Sequence, residues 1–179
     1  MKKKFGPRLT MTNSQPDNQE YQIKKTLFQT ALRYLGYRDR FVREIELRLK
    51  KQIIKKKYPE SSLDLIPNIL AKLDKAGLIN DQALINTYIK NQQTNKLRGP
   101  YVIKQKLLQM GAQRDLIDIA IAKYISDETQ SISIDKLLKK KKPDLKDYKS
   151  IAKFQRFLVY RGFTLNLIKK KVAFTGQKE

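Results

Sequence analysis

From Tyr21 to Val172 the apolar residues recur every three or four positions and never alternate, a periodicity that helices bury on one face and strands cannot. A chain patterned in this way has to pack helix on helix, so the expected class is all-α.

Ile23, Leu27, Thr30 or Ala31, and Tyr34 or Leu35 trace a first helix. Val42, Ile45, Leu49 and Ile53 trace a second on one narrow face, which turns Arg48, Lys51 and Lys55 outward. Leu63, Ile66, Ile69, Leu70 and Leu73 mark a third, closed by Ala76-Gly77, and Asn80-Asp81 then caps a fourth carrying Leu84, Tyr88 and Ile89. Gly99-Pro100 opens a fifth with proline at a tolerated first-turn position, and Ile103, Leu107 and Met110 line it until Gly111 stops it. A sixth carries Leu116, Ile117, Ala120 and Tyr124. Ser126 with Asp127 and Glu128 looks like the cap and acidic first turn of a seventh, which runs through Ile134, Leu137 and Leu138 and breaks at Pro143. Ile151, Phe154 and Leu158 form an eighth ending near Gly162, and Leu165, Ile168 and Val172 a short ninth.

The glycine stops expose an internal repeat. Setting Gly111 on Gly162 aligns Ile103 with Phe154, Leu107 with Leu158, Leu116 with Leu167 and Ile117 with Ile168; setting Ile45 on Ile103 puts Leu49 on Leu107. The expectation is an elongated tandem array of three three-helix repeats over residues 21–79, 80–125 and 126–174, each touching its neighbours. Ordinary helical hairpins gathered into one globule would leave similar spacings. Residues 1–20, polar and interrupted by Gly6, Pro7 and Pro16, read as a disordered basic tail.

Charge narrows the function. Lysine and arginine total 39 against 17 acidic residues, a net charge of +22, which favours a polyanionic partner. Coding drift toward lysine would also raise the total, but would spread it evenly. Instead residues 24–57 hold 12 basic and 3 acidic residues and residues 136–171 hold 13 and 2, whereas residues 81–127 hold 7 and 4. In the eighth helix Lys149, Lys153, Arg156 and Tyr160 share the face opposite the apolar stripe, a pattern suited to phosphate neutralisation with base stacking. A merely solvated lysine face with Tyr160 half buried is the plainer alternative. Lys139, Lys140, Lys141 and Lys142, with Lys169, Lys170 and Lys171, read as non-specific phosphate contacts.

The chain has no cysteine and no histidine, which removes thiol nucleophiles, imidazole proton relays, Cys/His zinc sites and disulfides. Glu44 and Glu46 point to different faces, and Asp115 and Asp118 suit the start of the sixth helix better than a metal. No glycine-rich phosphate loop appears, so no enzyme, cofactor or metal is expected. Met1-Lys2-Lys3-Lys4 runs into Phe5-Gly6-Pro7-Arg8 where a signal peptide would need an apolar stretch, and no run reaches membrane-span length, so a cytoplasmic location is expected.

Ala31-Leu32-Arg33-Tyr34-Leu35-Gly36-Tyr37-Arg38-Asp39-Arg40, followed by Glu44, Ile45 and Leu49, is similar to the opening helix pair of RecX proteins. Residues 73–81, Leu-Asp-Lys-Ala-Gly-Leu-Ile-Asn-Asp, resemble the family's next signature, and Gly99, Ile103, Leu107 and Gly111-Ala112 its third. The matches cover residues 26–124, with weaker resemblance to about 172. They depart at Phe41, where the family often has a serine cap, which leaves the start of the second helix to Asp39 or to an uncapped turn. Asn80 and Leu84-Ile85 are milder departures. The resemblance implies three tandem three-helix repeats that bind the RecA recombinase filament and modulate strand exchange, usually by inhibition. The charge clusters add accessory single-stranded DNA binding, and a monomer is expected. Arg38, Arg40, Arg43, Arg48, Lys51, Lys55, Arg98 and Lys104 join the cations above as contacts to nucleic acid or filament. The alternative is a free-standing basic helical nucleic-acid binder, helix-turn-helix-like or RNA-associated, that needs no recombinase.

Overall fold

The computed structural model describes residues 15–173. Among them are nine α-helices, one 3₁₀ turn and no strand, in the order α1 (Gln15–Leu35), α2 (Val42–Lys56), the 3₁₀ turn Glu60–Asp64, α3 (Leu65–Lys75), α4 (Asp81–Thr94), α5 (Pro100–Gln109), α6 (Arg114–Tyr124), α7 (Asp127–Lys141), α8 (Tyr148–Tyr160) and α9 (Leu165–Lys171). Helix α1 begins at Gln15, within the stretch that the sequence reads as a tail. Pro16 lies in its first turn, where a missing N–H breaks no helical hydrogen bond. The rest of the expected tail lies outside the described residues.

The helices bury three separate cores. Ile23, Leu27, Ala31, Ile45, Leu49, Ile53, Ile69 and Leu73 fill the first, from α1 to α3. Ile85, Ile89, Ile103, Leu107, Ile117 and Ala120 fill the second, from α4 to α6. Ile134, Leu137, Ile151, Phe154, Leu158, Phe163, Ile168 and Val172 fill the third, from α7 to α9. Three cores in succession make an elongated array of three-helix groups, because each core is closed by its own helices.

Local chemistry sets the boundaries. Asn80 Oδ1 accepts from Ala83 N–H at 2.9 Å and Ser126 Oγ from Thr129 N–H at 3.2 Å. Asp147, which the apolar pattern does not flag, caps α8 by accepting from Lys149 and Ser150 N–H at 3.0 and 2.9 Å. Gly77, Gly111 and Gly162 take the positive φ expected of helix stops. Three apolar assignments shift. Ile85 is buried where Leu84 was expected, Leu63 sits in the 3₁₀ turn ahead of α3, and Leu165 is 59% exposed while Leu167 is buried. In α9 the helix starts only at Leu165, so its inward face falls at Leu167 and Ile168, the positions that the Gly111–Gly162 alignment pairs with Leu116 and Ile117.

Neighbouring groups are joined by residues borrowed from between helices. Phe41, the residue before α2, is fully buried in the second core rather than the first. With no side-chain oxygen at that position, the amides of α2 find other acceptors: Phe41 N–H donates to Glu44 Oε2 at 3.2 Å and Val42 N–H to Asp81 Oδ1 at 3.0 Å. The α2 start is therefore capped across the boundary between groups. Leu97, just before α5, packs likewise on the third core. Gly99 N–H donates to the Arg161 carbonyl at 2.9 Å, and Tyr101 N–H to the Gly162 carbonyl at 3.1 Å.

Candidate nucleic-acid interface

The cations expected to meet a partner divide into those the fold has already engaged and those it leaves in solvent. Arg38 and Arg40 both bond Glu44, at 2.6 and 3.3 Å. The Arg40 side chain is only 15% exposed, its guanidinium lies 4.1 Å from the centre of the Tyr34 ring, and its Nε is buried without a hydrogen-bond partner. Burial, ion pair and ring contact together make Arg40 a packing element between α1 and α2 rather than a surface contact. Lys104 pairs with Asp118, and Lys171 pairs with Asp135 at 2.9 Å. Among the described residues no cluster of acidic side chains is arranged to hold a metal ion.

Most of the other cations stand outward, Arg98 excepted. Arg43, Arg48, Lys51 and Lys55 are exposed along α2, Arg48 also lying 5.7 Å from the Tyr34 ring. Lys139, Lys140 and Lys142 are exposed around the end of α7, and Lys141 rests 5.5 Å from the Phe157 ring. Lys169 and Lys170 are exposed at the end of α9. On α8, Lys149, Lys153 and Arg156 are exposed, and Tyr160 is 87% exposed, so the half-buried alternative for this tyrosine does not hold.

Between α5 and α8 the surface folds into a cleft of about 450 Å³, lined by Arg98, Gln105, Lys106, Phe157, Tyr160 and Arg161 among others, none of them acidic. Arg161 anchors it: its Nη1 donates to the Leu97 carbonyl at 3.1 Å, and its guanidinium lies 5.0 Å from the Phe157 ring. Arg98 Nη1 donates to Gln92 Oε1 at 3.1 Å. Burial, and then the charge of Arg98, push the Arg161 guanidinium below its ordinary value. The two cations feel each other without a carboxylate between them. A second cleft, of about 460 Å³ between the first and second groups, sets Glu46 and Asp81 beside Arg43 and Arg114, so its charges largely cancel.

Sequence reasoning named Arg98 and Tyr160 but not Lys106 or Arg161. The signal for Arg161 lay in the repeat alignment, where it stands before the Gly162 stop at the place held by Met110 before Gly111. A cation where its counterpart is apolar marks a changed environment.

The fold and this surface define a tandem three-helix-repeat protein with its cores closed and much of its positive charge displayed. No family model matches the chain. Its sequence is 33% identical over 147 residues to the regulatory protein RecX of Streptococcus pyogenes, covering 79% of this chain and 52% of that protein. It is 31% identical over 172 residues to the regulatory protein RecX of Staphylococcus carnosus, covering 92% and 59%. The crystal structure of RecX from Lactobacillus salivarius superposes with a TM-score of 0.70 at 25% identity, covering 85% of this chain and 96% of that one. The chain belongs to the RecX family, and it spans a little over half the length of the curated relatives it matches. No helix among the described residues is long and apolar enough to cross a membrane.

Proposed function

We propose that this protein regulates a RecA-type recombinase, docking on the recombinase filament as a monomer and slowing strand exchange, while its exposed cations make accessory contacts to single-stranded DNA. The observation that carries the reading is the RecX likeness across most of the chain, in both sequence and fold. The displayed charge is its physical counterpart, since exposed lysines on α2, α7, α8 and α9 would release counterions from a polyanionic assembly. The protein acts by occupying the filament in the cytoplasm, not by turnover. The side-chain chemistry agrees with this: the chain carries no thiol or imidazole, and among the described residues Asp118 and Asp135 are each paired with a lysine. Arg40 and Arg38 belong to the scaffold of the docking surface, and Arg43, Arg48, Lys51 and Lys55 to its contacting face.

The test is to add the full chain to filaments of a RecA-type recombinase and follow ATP turnover and strand exchange. Both should fall as the protein saturates the filament. Unchanged rates at saturation would overturn the reading, and tight binding to nucleic acid at high salt without any recombinase would favour the free-standing binder.

A further inference from the structure

We infer that the α5–α8 cleft receives one unstacked nucleotide of a single strand, its phosphate against the guanidiniums of Arg98 and Arg161 and its base against the ring of Tyr160. This rests on the strand-binding part of the proposed function and goes beyond it by assigning a site.

Three features of the cleft point to this ligand. Its volume of about 450 Å³ falls within the roughly 300–1,000 Å³ of clefts that enclose small ligands. Arg98, Lys106 and Arg161 line it with no acidic neighbour, whereas the cleft between the first two groups neutralises itself with Glu46 and Asp81. An anion entering the α5–α8 cleft displaces no internal ion pair, and it offsets the Arg98–Arg161 repulsion that adds to burial in lowering the proton affinity of Arg161. Tyr160 then decides the kind of anion. A ring 87% exposed at the end of α8 has no packing role, and a flat exposed π-face beside phosphate-binding cations is what an unstacked base occupies. A duplex keeps its bases stacked inward, out of reach of that ring, and an acidic peptide would leave the ring unused. Beyond the cleft, Arg156, Lys153 and Lys149 continue along α8 at three- to four-residue steps, roughly 4.5–6 Å apart along the axis, so a strand leaving the site stays over cations.

The cleft is also held in shape. Arg161 is tied to the Leu97 carbonyl, and the α8–α9 turn is hydrogen-bonded to the start of α5 through Gly99 and Tyr101. Both walls therefore stand in place before any ligand arrives, which lowers the ordering cost of binding.

The experiment is fluorescence anisotropy of the full chain with a labelled oligothymidylate and with an abasic strand of the same length, titrated with salt, with polyglutamate as competitor. Tyr160→Ala should weaken oligothymidylate binding by about tenfold or more, within the range for loss of one base–aromatic stack. It should leave the abasic strand unaffected, and Tyr160→Phe should bind like the parent. Arg98→Gln should weaken both strands and reduce the log-log salt slope by about 0.7, one phosphate's worth, while Arg98→Lys should keep the slope. Because Tyr160 is exposed, its replacement removes no core contact, and an unchanged unfolding midpoint verifies this for each variant. Equal losses on both strands for Tyr160→Ala, or parental binding by both Tyr160→Ala and Arg98→Gln, would overturn the cleft assignment while leaving accessory strand binding in place. Polyglutamate binding that depends on Tyr160 and Arg98 as strongly would reassign the cleft to an acidic protein segment. Absence of any strand binding by the parent would overturn both readings.

Discussion

A methyl carbon added to Gly99 would lie 2.2 Å from the carbonyl oxygen of Gly162, so the second and third groups meet backbone to backbone. Gly99 itself has a φ of −84°, which any residue can adopt, so the constraint is close approach and not backbone freedom. Gly162, across the joint, has both constraints, with a φ of 86° and Val102 N 2.5 Å from a built Cβ.

Gly99→Ala should therefore destabilise by about 2–3 kcal/mol, the upper part of the range for overpacking, because the opposing atoms are backbone and cannot swing aside. Denaturant unfolding followed by two probes, one in each group, checks this. The third group is expected to melt ahead of the second, and a single unshifted transition would contradict the joint.

Phe41 couples the first two groups through the second core. Phe41→Ala should cost about 3–5 kcal/mol, as for large aromatic truncations in cores. Phe41→Ser separates the two roles of the position. A serine cap returns only about 1 kcal/mol, so this variant should remain well below the parent in chemical denaturation even though α2 gains a cap.

Burial is the larger influence on Asp81 and raises its pKa above 3.8, the Val42 N–H bond opposes this, and Glu44 adds to the rise. A carboxyl whose folded pKa is raised favours the fold most when protonated. Its contribution is thus fully present below the unfolded value and is lost as pH rises through the folded one. Asp81→Asn keeps an acceptor for Val42 N–H and cannot titrate. Stability measured against pH should show the parent gaining on Asp81→Asn as pH falls toward the ordinary carboxylate range, and parallel curves would contradict the assignment.

Arg40 and Arg48 flank the same Tyr34 ring but differ in burial, which separates scaffold from surface. Arg40→Ala removes the guanidinium packed on Tyr34 and one of the two arginines bonded to Glu44, and should cost roughly 1–2 kcal/mol of stability. Arg48→Ala should change stability by less than about 0.5 kcal/mol while weakening strand binding and reducing its salt slope by about 0.7. Unfolding and anisotropy on both variants decide the matter, and a reversed pattern would move Arg40 back to the interface.

The helical class, nearly every helix and the glycine stops were legible because a 3.6-residue apolar period, a cap and a left-handed glycine each act within a turn or two of chain. Ile45, Leu49 and Ile53, or Ile151, Phe154 and Leu158, announce their buried face by spacing alone. The displayed cations were half legible. Their clustering could be counted, but Arg40 and Lys104 looked as free as Arg48 and Lys51 until Glu44 and Asp118 were placed beside them.

Tertiary structure alone decided which core Phe41 enters, which acceptor caps α2, and which charges are left uncompensated. Each depends on residues far apart in the chain: Val42 with Asp81, Gly99 with Gly162, Arg98 with Arg161. Local propensity acts through neighbours a few residues away, whereas a cleft is made where two helices from different groups meet. The α5–α8 site therefore becomes visible only once the joint between those groups is built.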